Sequence, residues 1–224
     1  METIIVATGN AHKLNEIREI WSDPDLELIS MKDAGVDVEI IENGTTFEEN
    51  AVIKARTVAQ ASGHMALADD SGLVVDAMDG EPGIHSARYM GRDTSYDVKN
   101  NAIIDQVNEY CRQKEDGQET GGQAATAGCP GSLPDGTPGP LRSARFVCAV
   151  AAAWPDGTVK TVTGVMEGRI GYKIAGENGF GYDPIFYLPE FGKTSAQISP
   201  EEKNAVSHRG KAFRKMREVL KSLM

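Results

Sequence analysis

The stretch Thr3-Ile4-Ile5-Val6-Ala7-Thr8-Gly9-Asn10-Ala11-His12-Lys13-Leu14-Asn15-Glu16-Ile17 decides the class of the fold. Thr3 to Thr8 is rich in β-branched residues and mostly apolar, which predicts a buried strand. Gly9-Asn10 interrupts it. From there Leu14, Ile17 and Trp21 recur at helical spacing on one face, with Asn10 as N-cap. Strand character returns at Leu26 to Ser30, so strands and helices alternate from the start.

The alternation continues outward from this unit. Val38 to Ile41 reads as a third strand. Thr46-Phe47-Glu48-Glu49 is a capping box ahead of Ala51, Ile53, Ala55 and Val58, and Gly63 is the stop. Met65 to Ala68 is a short strand that runs into an Asp69-Asp70-Ser71-Gly72 turn, and Leu73 to Ala77 resumes it. Asp79 to Arg92 is a loop rich in Gly and Pro. Ser95 to Lys114 is an amphipathic helix with Val98, Ala102, Ile103, Val107 and Tyr110 inward. Arg145 to Trp154 and Thr158 to Met166 are two long strands joined by a Pro155-Asp156-Gly157 hairpin turn. A Gly-rich loop covers Gly176 to Asp183, and Pro184 to Leu188 is extended. Ser199-Pro200-Glu201-Glu202 opens one helix, and Ser207 caps a last one that runs to about Leu223. There are no internal repeats, and the class is α/β or α+β.

Composition narrows the function. The 224 residues suit one domain that buries about 70% of its unfolded surface. Residues 115–143 hold seven Gly and four Pro and no aromatic residue, which predicts a flexible insertion within that domain. Asp and Glu number 33 against 23 Lys and Arg, a net charge of −10. That excludes affinity for nucleic acid built on phosphate neutralisation, and a polybasic membrane binder. The charge is uneven. Residues 193–224 hold eight bases and three acids, and the remaining body carries −15. Most tail bases, such as Lys215 and Lys221, read as the solvated face of a helix. Three cysteines (Cys111, Cys129, Cys148) without a C-x-x-C pair predict a reducing compartment. The longest apolar run, Phe146 to Trp154, is too short for a membrane span. With no leader pattern at the N-terminus, the expectation is a soluble cytoplasmic protein.

Four constellations can carry chemistry. Thr8-Gly9-Asn10-Ala11-His12-Lys13 sits at a strand-to-helix junction, where free N–H groups and the positive dipole end suit a phosphate. It lacks the Walker A spacing, and the same residues also make an ordinary turn with a solvated lysine. Asp69 and Asp70 end an apolar strand, where two carboxylates need a cation or donors. Side chains alternate along a strand, so the two acids take separate roles: one to face Mg²⁺ and a water, the other to hold the turn. The alternative is two solvent-facing carboxylates. Phe180-Gly181-Tyr182-Asp183 places two aromatics in a Gly-rich turn, either a slot for a flat ring or a core plug. Lys203 stands near Ser207-His208-Arg209-Gly210, where His208 and Arg209 fall in the first turn of the last helix and suit a base carbonyl or a phosphate; the alternative is a surface His-Arg pair and a solvated lysine. Glu42, alone in a turn, reads as solvated. No thiol or serine nucleophile and no zinc cluster is present by motif.

In order, these blocks resemble the inosine triphosphate pyrophosphatase family, which acts on non-canonical purine nucleoside triphosphates. The match runs through Ala7-Thr8-Gly9-Asn10 with Lys13, Thr46-Phe47, Glu49-Asn50-Ala51 and Ala68 to Leu73. It continues through Pro82-Gly83-Ile84, Ser86 to Tyr89, Gly179 to Phe186, Lys193-Thr194, Glu202-Lys203 and Ser207-His208-Arg209-Gly210. Residues 115–143 depart from it by length and by Gly/Pro content. The resemblance implies a mixed α/β fold, a long central mixed sheet flanked by helices, in two lobes with an active-site cleft. It implies a homodimer and Mg²⁺-dependent hydrolysis of ITP, dITP and XTP to monophosphate and pyrophosphate. Asp70 is then the residue that activates water and, with Glu42, stands near Mg²⁺. Thr8 to Lys13 become triphosphate contacts, and Ser71 a further substrate contact. Phe180, Gly181, Tyr182, Asp183, Lys203, His208 and Arg209 become nucleotide and base contacts. Donors such as Arg209, His208 or Lys203 would accept a 6-oxo purine and be left unpaired by a 6-amino one. A pyrophosphatase for other modified nucleotides and a non-catalytic nucleotide sensor are the alternatives.

Overall fold

A computed structural model describes residues 2–21, 26–116 and 129–223. In chain order these form β1 (Glu2–Val6), α1 (Ala11–Ile20), β2 (Leu26–Ser30), α2 (Phe47–Ser62), β3 (Ala66–Val75) and α3 (Tyr96–Asp116). Then come β4 (Ser143–Ala153), β5 (Val159–Ile170), β6 (Phe186–Leu188), β7 (Lys193–Thr194), α4 (Pro200–Val206) and α5 (His208–Lys221). The strands form one sheet in the order β2-β1-β3-β4-β5-β6-β7. β1 is parallel to both β2 and β3, whereas β6 is antiparallel to β5 and β7. The expected mixed sheet with helices is present.

The chain divides into two compact units, residues 1–71, 147–166 and 204–224 in the first and residues 72–146 and 167–203 in the second. In the first, the two-residue period of β1 splits the core. Ile4 and Val6 face α1 and α5, packing with Ile17, Trp21, Cys148, Val150, Phe213 and Met216. Ile5 and Ala7 face α2, where Ala51, Ala55, Val58 and Ala59 meet Ala149, Ala151 and Ala153 of β4. With alanine on both sides, α2 lies close to the sheet. The start of α5 approaches β5 closely too: a Cβ on Gly164 would fall 2.2 Å from the His208 carbonyl oxygen, so only glycine fits.

The caps follow the sequence. Asn10 Oδ1 accepts from Lys13 N (3.3 Å), Thr46 Oγ1 from Glu49 N (3.1 Å) and Ser207 Oγ from Gly210 N (2.9 Å). Ser199 and Glu202 form a reciprocal capping box at α4.

Three expectations are corrected. Val38 to Ile41 is not a strand: Val36, Val38 and Ile40 pack on the α2 side of the core while Asp37, Glu39 and Ile41 point out, but no strand among the described residues pairs with them. Asp69 to Gly72 is not a turn, because β3 runs unbroken from Ala66 to Val75. Val98 is 50% exposed, since Lys99, Asn100, Ile103, Ile104, Val107 and Cys111 take the inward face of α3. Lys215 and Lys221 are exposed, as expected of the solvated face of α5; from that face Lys215 Nζ donates to Thr163 O (2.8 Å), and the exposed Lys211 Nζ to Val165 O (3.0 Å).

Of the segment 115–143, residues 117–128 lie outside the described residues. Residues 129–143 are hydrogen-bonded, with Leu133 N on Thr137 O (2.8 Å) and Gly139 N on Gly131 O (2.7 Å). Arg142, fully buried in the second unit, anchors them by donating to Pro130 O, Asn108 Oδ1, Ile170 O and Gly171 O.

Candidate active site

In the first unit β1 pairs in parallel with the start of β3, Ile5 with Ala66 and Val6 with Leu67, so the carboxyl end of β1, a position where ligands bind in α/β sheets, comes next to the stretch of β3 that carries Asp69 and Asp70. Thr8 to Lys13 leave the end of β1, and Asp69 and Asp70 lie on β3. Thr8 Oγ1 accepts from Asn10 N (3.2 Å), and Asn10 caps α1. Gly9 is exposed, and a Cβ there would meet nothing within 4 Å. The side chains of Ala11 and His12 lie outside the described residues.

Successive residues of β3 point to opposite sides, and the two aspartates meet different cations. Asp69 Oδ2 pairs with Lys13 Nζ at 3.0 Å and with Arg209 Nε and Nη2 at 3.5 Å, and it accepts from Ser71 Oγ at 3.2 Å. Arg209 Nη2 also donates to Ser71 Oγ (3.0 Å), and its Nη1 pairs with Glu16. Burial alone would push the Asp69 carboxyl up, but Lys13 above all, then Arg209 and Lys54, hold it well below the usual carboxylate range. Arg209 is buried, and burial opposes its charge, yet Asp69 and Glu16 outweigh that and hold the guanidinium more firmly protonated than usual.

Asp70 is on the other side. Its Oδ1 pairs with Lys54 Nζ at 3.0 Å, and the same ammonium pairs with Glu42 Oε2 at 3.0 Å. Here burial dominates and raises the Asp70 carboxyl above its ordinary value, with Lys54 only partly offsetting it. Lys54 shows the reverse balance: burial favours the neutral amine, but Asp70, Asp69 and Glu42 prevail and keep it an ammonium. Asp69 Oδ1 and Asp70 Oδ2 are buried carboxylate oxygens with no hydrogen-bond partner among the described residues. Such oxygens suit a water or a hard cation. Among the described residues no three His, Cys, Asp or Glu side chains cluster as a cage, so a metal here would keep waters or ligand oxygens.

The second unit holds the aromatic loop. Asp183 is buried; its Oδ2 accepts from Lys203 Nζ (2.7 Å) and Phe180 N (2.8 Å), and its Oδ1 from Ser195 Oγ (2.6 Å). Lys203 Nζ lies 5.2 Å from the centre of the half-buried Phe180 ring. Tyr182 is only 4% exposed; its hydroxyl donates to Ser86 O (2.7 Å) and its ring packs edge-on against Tyr96. Of the two aromatics, Tyr182 is the core plug and Phe180 is the less buried. Gly181 O accepts from Asn100 Nδ2 at 3.1 Å.

The sequence-derived residues thus form three groups. Lys13, Ser71 and Arg209 gather on Asp69, and Glu42 joins Asp70 through Lys54. Phe180, Asp183 and Lys203 form the third group, in the second unit. His208 is buried in the first turn of α5 in the first unit. Sequence reading missed Lys54, Glu16, Ser195 and Asn100. Lys54 carried a usable signal: it lies on the Ala51–Ala55–Val58 stripe of α2, and a lysine on an apolar stripe needs a buried carboxylate partner.

The model of the Ham1 family matches residues 4–129 and 132–219. A dITP/XTP pyrophosphatase of Exiguobacterium sibiricum is 41% identical over 221 residues, 99% of this chain and 98% of that one. One from Nitratidesulfovibrio vulgaris is 44% identical, covering 97% of this chain and 95% of that one. The structure of the Staphylococcus aureus Ham1 protein superposes with a TM-score of 0.77 at 35% identity, over 100% of both chains. With the family pattern matched over both parts of the chain, and relatives this similar along its length, the chain belongs to the Ham1 family.

Proposed function

We propose that this chain hydrolyses dITP, ITP and XTP to the monophosphate and pyrophosphate. The observation that carries the reading is the Asp69–Asp70 pair: one carboxylate held ionic by two cations, its neighbour buried and raised beside a single shared ammonium, each keeping one oxygen without a partner among the described residues. Pairs of acids whose environments push them apart are how a site divides ionic from proton-transfer work. Water forms a bond to the α-phosphorus, its proton passes to Asp70, and the bond from α-phosphorus to the bridging oxygen breaks. Pyrophosphate leaves with that electron pair. Lys13, Lys54 and the amino end of α1 offset the charge on the phosphate oxygens. Glu42 and Asp70 are the residues that would hold Mg²⁺, which when bound neutralises phosphate charge and acidifies a coordinated water.

Phe180 offers a ring face for stacking, and Arg209, His208 and Lys203 are the donors assigned to the 6-oxo group. The protein acts as a homodimer in the cytoplasm on this reading. Among the described residues no helix is long and apolar enough to cross a membrane.

The test is incubation with Mg²⁺ and, separately, dITP, XTP, ITP, dATP and dGTP, quantifying monophosphate and pyrophosphate. Equimolar products from dITP and XTP, with dATP turned over at least 100-fold less efficiently, are expected. Orthophosphate as the first product, or equal rates for all five, would overturn the proposal.

A further inference from the structure

The buried serine behind the aromatic loop has no part in the reading above, and its contacts single it out. Ser195 is 0% exposed and follows directly on β7. Its backbone N bonds Phe186 O (2.8 Å), so its place is fixed without the side chain. The hydroxyl donates at 2.6 Å to Asp183 Oδ1, with the Asp183 carbonyl oxygen a longer second acceptor at 3.4 Å. The other Asp183 oxygen takes Lys203 Nζ and Phe180 N. A carboxylate with donors on both oxygens cannot rotate without breaking one of them. The loop is built closely around this arrangement: a Cβ on Gly179, whose φ is +75°, would fall 2.2 Å from Asp183 Oδ2 and 3.1 Å from Lys203 Nζ.

We infer that Ser195 is a positioning residue for purine discrimination: by holding Asp183 Oδ1 it fixes the direction from which Asp183 holds Lys203 beside the Phe180 ring. This rests on the proposed pyrophosphatase reading. Without the hydroxyl, Asp183 Oδ1 becomes a buried acceptor lacking its donor, and the carboxylate turns to recover one. Lys203 Nζ, bonded to the other oxygen, is displaced with it. A donor that must meet a 6-oxo oxygen tolerates little displacement, whereas stacking on Phe180 does not depend on it. Discrimination then falls while the chemistry, carried by residues of the first unit, continues.

The adjacent Thr194 provides a matched control. It is also buried, and its hydroxyl donates to Ala175 O (2.7 Å), away from Asp183. The experiment measures kcat and KM for dITP and dATP, with melting temperature, in wild type, Ser195→Ala, Ser195→Cys and Thr194→Val. Cysteine fills the serine's space with a weak donor, and covers the case in which alanine fails to fold. Wild-type pyrophosphate release from dITP establishes the underlying reading; its absence sinks that reading and leaves the inference without a base. Given that release, Ser195→Ala should raise the dITP KM severalfold with kcat within about twofold, and lower the dITP-over-dATP ratio of kcat/KM about tenfold. Ser195→Cys should shift the ratio in the same direction by less. Thr194→Val should lower the melting temperature with the ratio unchanged. A ratio unmoved in both serine variants, or moved equally by Thr194→Val, overturns the inference.

Discussion

Asp69 and Asp70 stand side by side on one strand, yet the two sides of β3 treat them oppositely. Towards α1 and α5, Asp69 meets Lys13, Arg209 and Ser71, and its ionised form is held far into the acid range. Towards α2, Asp70 meets the single ammonium of Lys54, shared with Glu42, and burial prevails. The two carboxyls are chemically identical and one residue apart, so the number of cations on each side of the strand makes the difference. The side with two cations is built to stay ionic, and the side with one ammonium shared between two carboxylates is built to accept a proton.

The largest effect expected of any change tests the second side. Asp70→Asn should lower pyrophosphate release from dITP by about 10³-fold, within the range for loss of a general base. Because the ionised form of Asp70 is disfavoured in the folded protein, the melting temperature at neutral pH should not fall. Near-wild-type release would end the assignment.

Asp69→Asn tests the first side and should be felt mainly in stability. Removing one partner of a buried ionic group takes this carboxylate from Lys13 and leaves Arg209 with Glu16, at a cost of about 3 kcal/mol in urea unfolding. The depressed carboxyl sets the pH dependence. Its contribution is complete above the unfolded value of about 3.9 and is lost as pH falls from there towards the folded value, so wild type should lose part of its margin over the variant below about pH 4. Equal stabilities at pH 7 would show that the cations serve a ligand alone.

Arg209→Ala sharpens the same side. Its expected effect is about a tenfold loss in preference for dITP over dATP, read as a ratio of kcat/KM. An unchanged ratio would move base reading away from α5. The smallest effect is a displacement: Lys54→Met removes the cation that partly offsets burial at Asp70, so the carboxyl rises further. Activity requires ionised Asp70 and fails as pH falls through its value. The acid limb of the kcat profile should therefore move to higher pH. No movement, or movement to lower pH, would remove Lys54 from the control of Asp70.

Much of this contrast was legible before any coordinates. The alternation of side chains along a strand assigned the two acids different roles, and the caps at Asn10, Thr46, Ser199 and Ser207 placed four helix starts. Where the reading failed, a partner distant in sequence decided the matter. Asp-Asp-Ser-Gly has turn composition, but cations from three helices satisfy its carboxylates and the strand continues. Val36 to Ile41 has the two-residue period of a strand, and that period reports which side chains are buried without reporting a ladder partner. Val98 was assigned inward by its apolar character. Polar Lys99 and Asn100 occupy the inward face instead because Ala87 O and Gly181 O await them. Ser195 has no motif of its own, and its importance exists only once Asp183 is placed beside it.

The alanines between α2 and β4 bear on Asp70 as well. Ala51, Ala55 and Ala59 set the thickness of the layer between α2 and the sheet, and α2 carries Lys54. That thickness is a spacer one methyl group deep, and the Lys54 side chain crosses it to pair with Asp70. A bulkier residue at Ala55 would act as a shim, lifting the helix and drawing its ammonium back from the carboxylate. The proton affinity of Asp70 is in this sense a machined dimension of the core, gauged by the smallest side chain that still has a β-carbon.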